Sequence, residues 1–413
     1  HSSPWADPKP GAHVARAAQS YLQAQVDAGH GCPLTMTFAS VPSISLTPSL
    51  AKAWLPKILN NAYDPRNVPH TEKQALNIGM GMTEKQGGSD VRANTTVATA
   101  IGNEGPGEAY ELVGHKWFTS APMCDAFLVL AQTQSGLSCF LVPRWLEGER
   151  NGIRIQRLKD KLGNKANASS EIEYHNALSY RVGEEGAGVR TIIEMVHHTR
   201  LDTVLAPAGL MRAAVQEAHW WVASRSAFQK RLIDQPLMRS VLADLAVDTE
   251  AALSVGMFLA GAFDRDDVES RALARIGVAL AKYLNNKRCI GVIAEAMEML
   301  GGMGYVEETP MPMLYREAPL NGIWEGSGNV QALDVLRAMN KSPAVVDTWF
   351  EELAGAQGRN ATLDNAINDL KKELADPEQI EFRARDLVDR MALTMQSALL
   401  VKAGNDSVSE AVI

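Results

Sequence analysis

The feature that most limits what this chain can fold into is a change of apolar period at Leu76 that reverses at about Glu185. From Ala12 to about Gln25, the residues Val14, Ala17, Ala18, Tyr21, Leu22 and Val26 recur at helical spacing, and Ala51 to Leu59 gives a second helical segment. Between Leu76 and Arg181 the apolar residues form short runs, Tyr110 to Val113, Ala126 to Ala131 and Leu137 to Pro143, divided by turn residues at 102–107 and 134–136. That texture predicts strands. From Glu185 onward, Ala-, Leu- and Met-rich stretches predict a bundle of helices at about 189–228, 235–263, 270–300 and 329–339, with two more at 360–374 and 377–400. Helices, then strands, then helices is the order of an α+β chain, mostly α, with segregated layers. The expected domains are an N-terminal helical domain at 1–75, incomplete at its start, a β-domain at 76–184, a helical bundle at 185–342 and a C-terminal helical extension at 343–413.

With 413 residues, 46% of them hydrophobic and 21% charged, the chain has apolar material for several packed domains, which excludes disorder and small disulfide scaffolds. Forty Lys and Arg against 48 Asp and Glu leave a formal charge of −8, so nucleic-acid binding requires a local basic patch. Cys32, Cys124, Cys139 and Cys289 are scattered without metal-site spacing. No metal and a reducing, cytoplasmic setting are expected. The longest uncharged apolar stretch, Ala251 to Phe263, is shorter than the roughly 20 residues needed to cross a bilayer, which predicts a buried helix and no membrane partner. His-Ser-Ser-Pro-Trp at the start, with neither an initiator Met nor a signal-peptide pattern, reads as the beginning of a fragment.

Four segments carry chemistry. In Gly79-Met-Gly-Met-Thr-Glu-Lys-Gln-Gly-Gly-Ser-Asp90, adjacent glycines let backbone N–H groups approach a ligand, and Thr83 and Ser89 add hydroxyls. In Gly114-His-Lys-Trp-Phe-Thr-Ser120, Trp117 and Thr119 lie two apart, which on an extended strand places them on one face, suited to a planar heterocycle. Ser224 to Gln235 lies between two long helices and offers Arg225 for a pyrophosphate and Gln235 for a hydroxyl. Finally, Leu300-Gly-Gly-Met-Gly-Tyr305 is followed by Tyr315 to Asn329, where Glu325 sits among Ile323, Trp324, Gly326 and Gly328. A carboxylate so placed is poorly solvated, which suits proton abstraction from carbon. Each segment alone also has an ordinary reading: a turn, a core tryptophan, a solvated helix end, a glutamate facing water.

In order and spacing, these segments resemble the acyl-CoA dehydrogenase family over about residues 12–340. Within it, Gly81-Met-Thr-Glu-Lys-Gln-Gly-Gly-Ser-Asp90 and Leu158-Lys-Asp-Lys-Leu-Gly-Asn-Lys165 look like the alkylation-response (AidB) branch. The resemblance implies a helical domain, a β-barrel-like domain and a four-helix bundle, with FAD at their junction and a homotetrameric assembly. It assigns Met82, Thr83, Trp117 and Thr119 to the flavin, with Thr83 and Thr119 hydrogen-bonding the ring and Trp117 lying against it. Ser89 is placed near the pyrophosphate or pantetheine entrance. Arg225, Phe228 and Gln235 match positions that reach the adenine-diphosphate half of a neighbouring subunit's FAD. Glu298, Gly301 and Gly302 match the turn beside it, although family members commonly carry Gln at the position of Glu298.

Glu325 matches the family's base, Ser327 and Asn329 match flavin contacts, and Arg200 and Trp324 match substrate-cavity positions. The implied reaction moves an α-proton of an acyl thioester to Glu325 and the β-hydride to flavin N5, yielding the 2-enoyl thioester. An unidentified electron acceptor must then reoxidise the flavin. The family polarises the thioester carbonyl with the base's backbone N–H and a ribityl hydroxyl. His197 stands where an acidic residue often lies, and the chain continues well past the family's usual end. The AidB branch has an extra helical C-terminal domain associated with DNA. The alternative is therefore a DNA-associated flavoprotein of the alkylation-damage response with weak or vestigial dehydrogenase activity. Against it, Glu351 to Ile413 carries 12 acidic and 7 basic residues, and only Lys371, Lys372, Arg383, Arg385 and Arg390 could form a patch. Those five also read as solvated faces of amphipathic helices.

Overall fold

The computed structural model describes residues 2–404 and 406–412. Contacts divide them into two units, one formed by residues 2–8 and 29–199 and the other by residues 9–28, 200–404 and 406–412. The helices are α1 (Ser3–Ala6), α2 (Ala12–Ala24), α3 (Gly31–Ser45), α4 (Pro48–Ile58), α5 (Gly188–Ser224), α6 (Pro236–Phe263), α7 (Val268–Met299), α8 (Met311–Glu317), α9 (Gly328–Lys341), α10 (Ala344–Ala354), α11 (Ala361–Leu374), α12 (Ile380–Ala403) and α13 (Asp406–Val412). Strands β1 (Ile78–Gly81), β2 (Val97–Ala100), β3 (Ala109–Ser120), β4 (Ala126–Thr133), β5 (Gly136–Pro143), β6 (Ile153–Leu158) and β7 (Ser169–Val182) occupy the span where the apolar period is short.

In the first unit the sheet runs β1-β4-β2-β3-β7-β5, and β5 pairs with both β7 and β4, so the path closes into a barrel. Closure hides the edges that an open sheet would expose. β4 and β5 are the two strands buried along nearly their whole length, because α3 and α4 cover them: Phe38, Val41, Ile44 and Trp54 share one apolar cluster with Phe127, Val129, Phe140 and Leu141. That placement explains why α3 has no amphipathic signature. It is buried on nearly every side from Met36 to Ile44, so its apolar residues show no stripe.

In the second unit α7 is the axis. Its residues contribute to two apolar clusters, one with α5, α6, α9 and α12 and one with the later part of α5 and α8. The segment after Pro343 continues this core, since Val345, Trp349, Leu353, Leu387 and Met391 belong to the same cluster as Ile276 and Leu280. Ala251 to Phe263 forms the second half of α6, and Ala251, Val255, Leu259 and Ala262 are buried as expected. By length and composition α6 could cross a bilayer, but half of its most apolar window is buried inside the protein.

A buried polar row on α7 completes the packing. Pro207 lies inside α5 and has no N–H for the Thr203 carbonyl one turn back. Asn286 Nδ2 donates to that carbonyl at 3.0 Å, while Asn285 Nδ2 donates to the carbonyls of Val204 and Ala252 and its Oδ1 accepts from Gln396. Two asparagines thus tie α5, α6 and α12 to α7. Since Trp349 is fully buried among these helices, Trp349→Ala is expected to lower the unfolding free energy by about 3–5 kcal/mol, read as a drop in the urea midpoint.

Candidate functional site

The glycine-rich segment of the first unit is organised by a carboxylate. Glu84, completely buried, accepts from Lys116 Nζ at 2.7 Å and from the backbone and hydroxyl groups of Thr95 and Thr96. Lys116 Nζ also donates to the Leu130 carbonyl at 2.8 Å. Burial pushes Glu84 up, but the Lys116 charge and these hydrogen bonds outweigh it and hold the carboxyl well below the ordinary range. Thr83 is fixed by its backbone, whose carbonyl accepts from the Trp117 amide at 2.8 Å, and Met82 by its carbonyl, which accepts from Asn94 Nδ2 at 2.9 Å. A Cβ at Gly88 would lie 2.4 Å from Thr83 Oγ1, so the close turn back over Thr83 requires glycine. Ser89 is exposed on that turn.

Trp117 and Thr119 do not share a face. A register shift between Lys116 and Thr119 breaks the alternation of β3, so Lys116 and Thr119 are both buried while Trp117 is only half-buried. The extra residue of the bulge flips the phase that simple period-two counting assumes. Trp117 instead has Lys159 Nζ 3.6 Å from its ring centroid and Lys85 Nζ at 5.3 Å. Thr119 Oγ1 and the Tyr174 hydroxyl are buried without a hydrogen-bond partner among the described residues, and both lie within 3.5 Å of where a Cβ on Gly81 would be. Buried hydroxyls of this kind need a partner. A polar edge of a bound ring system would supply one, so these residues fit a flavin.

In the second unit a tight turn presents Glu325. The residue has φ +56° and is followed by Gly326 at +93°, a left-handed pair that is costly for a glutamate unless its surroundings enforce it. They do. Lys282 Nζ, on α7, donates to the carbonyls of Asn321, Trp324 and Gly326 at 2.9, 2.9 and 2.7 Å. Arg200 Nε, on α5, donates to the Glu325 carbonyl at 3.0 Å, and Gln331 Nε2 donates to the carbonyls of Glu325 and Gly326. Arg200 is itself held by Asp334 at 2.8 Å, which also pairs with Arg275 and Arg337. Burial raises the Asp334 carboxyl, but Arg275, then Arg200 and Arg337, bring it below its ordinary value. The Trp324 indole N–H donates to Asn321 Oδ1 at 2.8 Å. Ser327 is the N-cap of α9 without a side-chain capping bond, and Asn329 is exposed in its first turn. Arg200, Trp324, Glu325 and Ser327 therefore meet at one turn.

The remaining expected residues lie at helix ends. Arg225 follows α5 directly and is exposed, Phe228 at φ +51° is 93% exposed at the tip of a short hairpin, and Gln235 caps α6 with its amide 3.4 Å from the Ala227 carbonyl. Glu298 is exposed in the last turn of α7, and Gly301, at φ +60°, and Gly302 follow it with open space around their Cα atoms.

Sequence reasoning passed over Glu84, Lys116, Lys282, Gln331 and Asp334. The available signal was a lone charge inside an apolar helical run, as in Val278-Ala-Leu-Ala-Lys282-Tyr-Leu and Ala332-Leu-Asp334-Val-Leu. The five basic residues singled out in the C-terminal segment are already engaged: Arg383 and Arg390 pair with Glu373, Lys372 with Asp369, Arg385 with the Tyr283 hydroxyl on α7, and Lys371 lies 5.4 Å from the Phe350 ring centroid.

Comparison with known proteins gives the family and the fold. Residues 1–65 match the model of the adaptive response protein AidB N-terminal domain, residues 79–177 the acyl-CoA dehydrogenase middle domain and residues 186–340 the acyl-CoA dehydrogenase C-terminal domain. The chain is 45% identical to Escherichia coli (strain K12) AidB, an alignment covering 100% of this chain and 76% of that protein. It is 32% identical to acyl-CoA dehydrogenase family member 11 of Caenorhabditis elegans, over 92% of this chain and 62% of that protein. The crystal structure of Caenorhabditis elegans ACDH-11 in complex with C11-CoA superposes with a TM-score of 0.90 at 27% identity, covering 100% of this chain and 75% of that one.

Glu84→Gln leaves the Lys116 ammonium buried without its counter-charge and is expected to cost about 3–5 kcal/mol at neutral pH. A carboxylate held low in the fold adds stability that is complete above the ordinary carboxylate range and is lost as the pH falls toward the folded value. Burial also pushes Lys116 down to about 8, and lower once Glu84 is gone, so the comparison needs the ammonium removed too: urea midpoints measured from pH 7 down to pH 4 should fall less steeply in the double variant Glu84→Gln/Lys116→Met than in the parent chain.

Proposed function

Since the chain belongs to the acyl-CoA dehydrogenase family, as an AidB-like, FAD-dependent oxidoreductase, we propose that it oxidises an acyl-CoA or related acyl thioester to the 2-enoyl thioester with Glu325 as the base. The observation that carries this reading is the Glu325 turn, where a half-buried carboxylate is held on a left-handed backbone by donors from three helices.

An α-proton of a thioester is weakly acidic, so the base must be held against the carbon and the carbonyl must be polarised as charge develops. Glu325 takes the proton, and its backbone N–H is the donor suited to the thioester oxygen. Arg200 and Gln331 keep that peptide from turning. Bound FAD supplies the two-electron acceptor for the β-hydride. Met82, Thr83, Trp117 and Thr119, with Ser327 and Asn329, are the residues we assign to holding it. Arg225, Phe228, Gln235, Glu298, Gly301 and Gly302 are assigned to its adenine end. Ser89, Arg200 and Trp324 are assigned to the substrate. The C11-CoA bound by the Caenorhabditis elegans relative supports a fatty acyl thioester as the substrate class.

The exposure of Phe228 and of Tyr305, 93% and 83%, supports self-assembly, and we take a homotetramer as the working state. DNA association has less support, because the bases on α11 and α12 already face carboxylates, a phenol and a ring.

The test is the anaerobic flavin spectrum of the holoenzyme before and after an acyl-CoA series that includes isovaleryl-CoA and C11-CoA. Bleaching is expected in the parent chain, with a rate at least about 100-fold lower in Glu325→Gln at equal FAD content. A flavin that no acyl-CoA bleaches, or a Glu325→Gln variant that bleaches at the parent rate, would overturn the assignment.

A further inference from the structure

We propose that Lys282, which no motif singled out, is the positioning residue that sets the direction of the Glu325 peptide. This rests on the reading of Glu325 as the base. The side chain is 1% exposed and reaches its acceptors from the middle of α7. All three acceptors belong to the segment around Glu325: the carbonyls of Asn321, Trp324 and Gly326. An ammonium has three N–H donors and no acceptor, so three convergent carbonyls match it donor for acceptor. A neutral amine would leave one carbonyl unmatched.

The consequence follows from peptide planarity. In a trans peptide the N–H points opposite to the C=O of the preceding residue. When Lys282 draws the Trp324 carbonyl toward α7, the Glu325 N–H is turned away from α7. The Gly326 carbonyl, held by the same ammonium and by Gln331, fixes the other end of the turn. Between the two, the Glu325 carbonyl is gripped by Arg200 and Gln331. Three consecutive carbonyls are thereby drawn onto donors from α5, α7 and α9, and the three N–H groups that follow them point the other way. A left-handed glutamate is retained because Lys282 and its neighbours over-determine it. Gly326 completes the device: a Cβ there would lie 2.6 Å from Gln331 Nε2.

Lys282 thus acts through Glu325 and needs no contact with substrate. Replacing it should release the Glu325 N–H and carboxylate from their set direction while leaving the FAD contacts and the substrate contacts made by residues other than Glu325 in place. The experiment compares parent, Lys282→Met, Lys282→Gln and Glu325→Gln holoenzymes in single-turnover flavin reduction with C11-CoA. Hydrogen exchange is followed in parallel on the peptide spanning 320–331. For Lys282→Met we expect a reduction rate at least 30-fold lower, with the half-saturating acyl-CoA concentration within threefold and FAD content unchanged. Exchange at 320–331 should be at least tenfold faster, and unchanged in the N-terminal half of α7. Lys282→Gln, which keeps two N–H donors, should fall between the two, and it stands in with the same readouts if Lys282→Met does not fold. Parent-like reduction and exchange in the lysine variants, beside a Glu325→Gln variant that is inactive, would overturn the role of Lys282 alone. A Glu325→Gln variant that reduces its flavin at the parent rate would instead overturn the base assignment, and the exchange result would still decide whether Lys282 fixes the turn. Exchange that rises equally along all of α7 would mean that the lysine serves only to stabilise the helix, and would also overturn the proposal.

Discussion

Burying polar groups on α7 is the constraint on which the second unit depends. A helix in the middle of a bundle is expected to be apolar all round, and α7 is buried without a break from Ile276 to Asn286, where its polar side chains besides the Tyr283 hydroxyl are Lys282, Asn285 and Asn286. Each of these would cost several kcal/mol if left unmatched in a low-dielectric interior, on the order of 2–7 for a neutral amide or hydroxyl. None is unmatched as a donor: Asn285 shares the carbonyls of Val204 and Ala252 inside α5 and α6, and the other two find backbone carbonyls that irregular backbone has left open. Pro207 opens the carbonyl that Asn286 takes, and the Asn321 to Gly326 segment, a 3-10 turn running into irregular backbone, opens those that Lys282 takes. The two irregularities and the two residues that use them, Asn286 and Lys282, therefore belong together. An α5 without Pro207 or a regular turn at Glu325 would leave those two side chains without the carbonyls they bind.

Much of this was legible from the chain alone, for identifiable reasons. Long helices with Ala-, Leu- and Met-rich stretches showed themselves within a few residues of their ends: 235–263 against Pro236–Phe263, and 360–374 against Ala361–Leu374. The strands emerged where apolar runs were bounded by turn glycines, as at Gly107 and Gly136, both at positive φ. α3 and α10 were not located. The first is buried nearly all round, and the second is an 11-residue helix whose anchor, Trp349, is decided by tertiary packing. The bulge in β3 was invisible for a different reason. Nothing in Lys-Trp-Phe-Thr marks an extra residue, and a single slip exchanges the faces of everything after it. At the Glu325 turn the glutamate was legible because it stands among glycines, whereas its supports were not. They lie 125 residues away on α5, 6 on α9 and about 40 on α7, separations over which no local pattern reports.

The electrostatics of the turn run against the average of the molecule. The chain carries −8 overall, yet the Glu325 turn is surrounded by an excess of cations: Lys282, Arg200, Arg275 and Arg337 against Glu325 and Asp334. Arg337 is well exposed and screened by water, so the field at the turn comes mainly from Arg200 and from the ammonium form of Lys282, which burial pushes down to about 7. Asp334 does not cancel Arg200 so much as aim it, since it takes one guanidinium nitrogen and leaves Nε for the Glu325 carbonyl. For a base that removes a proton from carbon, the barrier is set by the negative charge appearing on the substrate. A fixed positive environment stabilises that charge without any group having to reorganise at the moment of reaction. The gain therefore depends on the field acting more strongly where charge develops than where it already resides, and this is why the direction of the Glu325 peptide, rather than the number of nearby cations, is the quantity the surrounding helices have to fix.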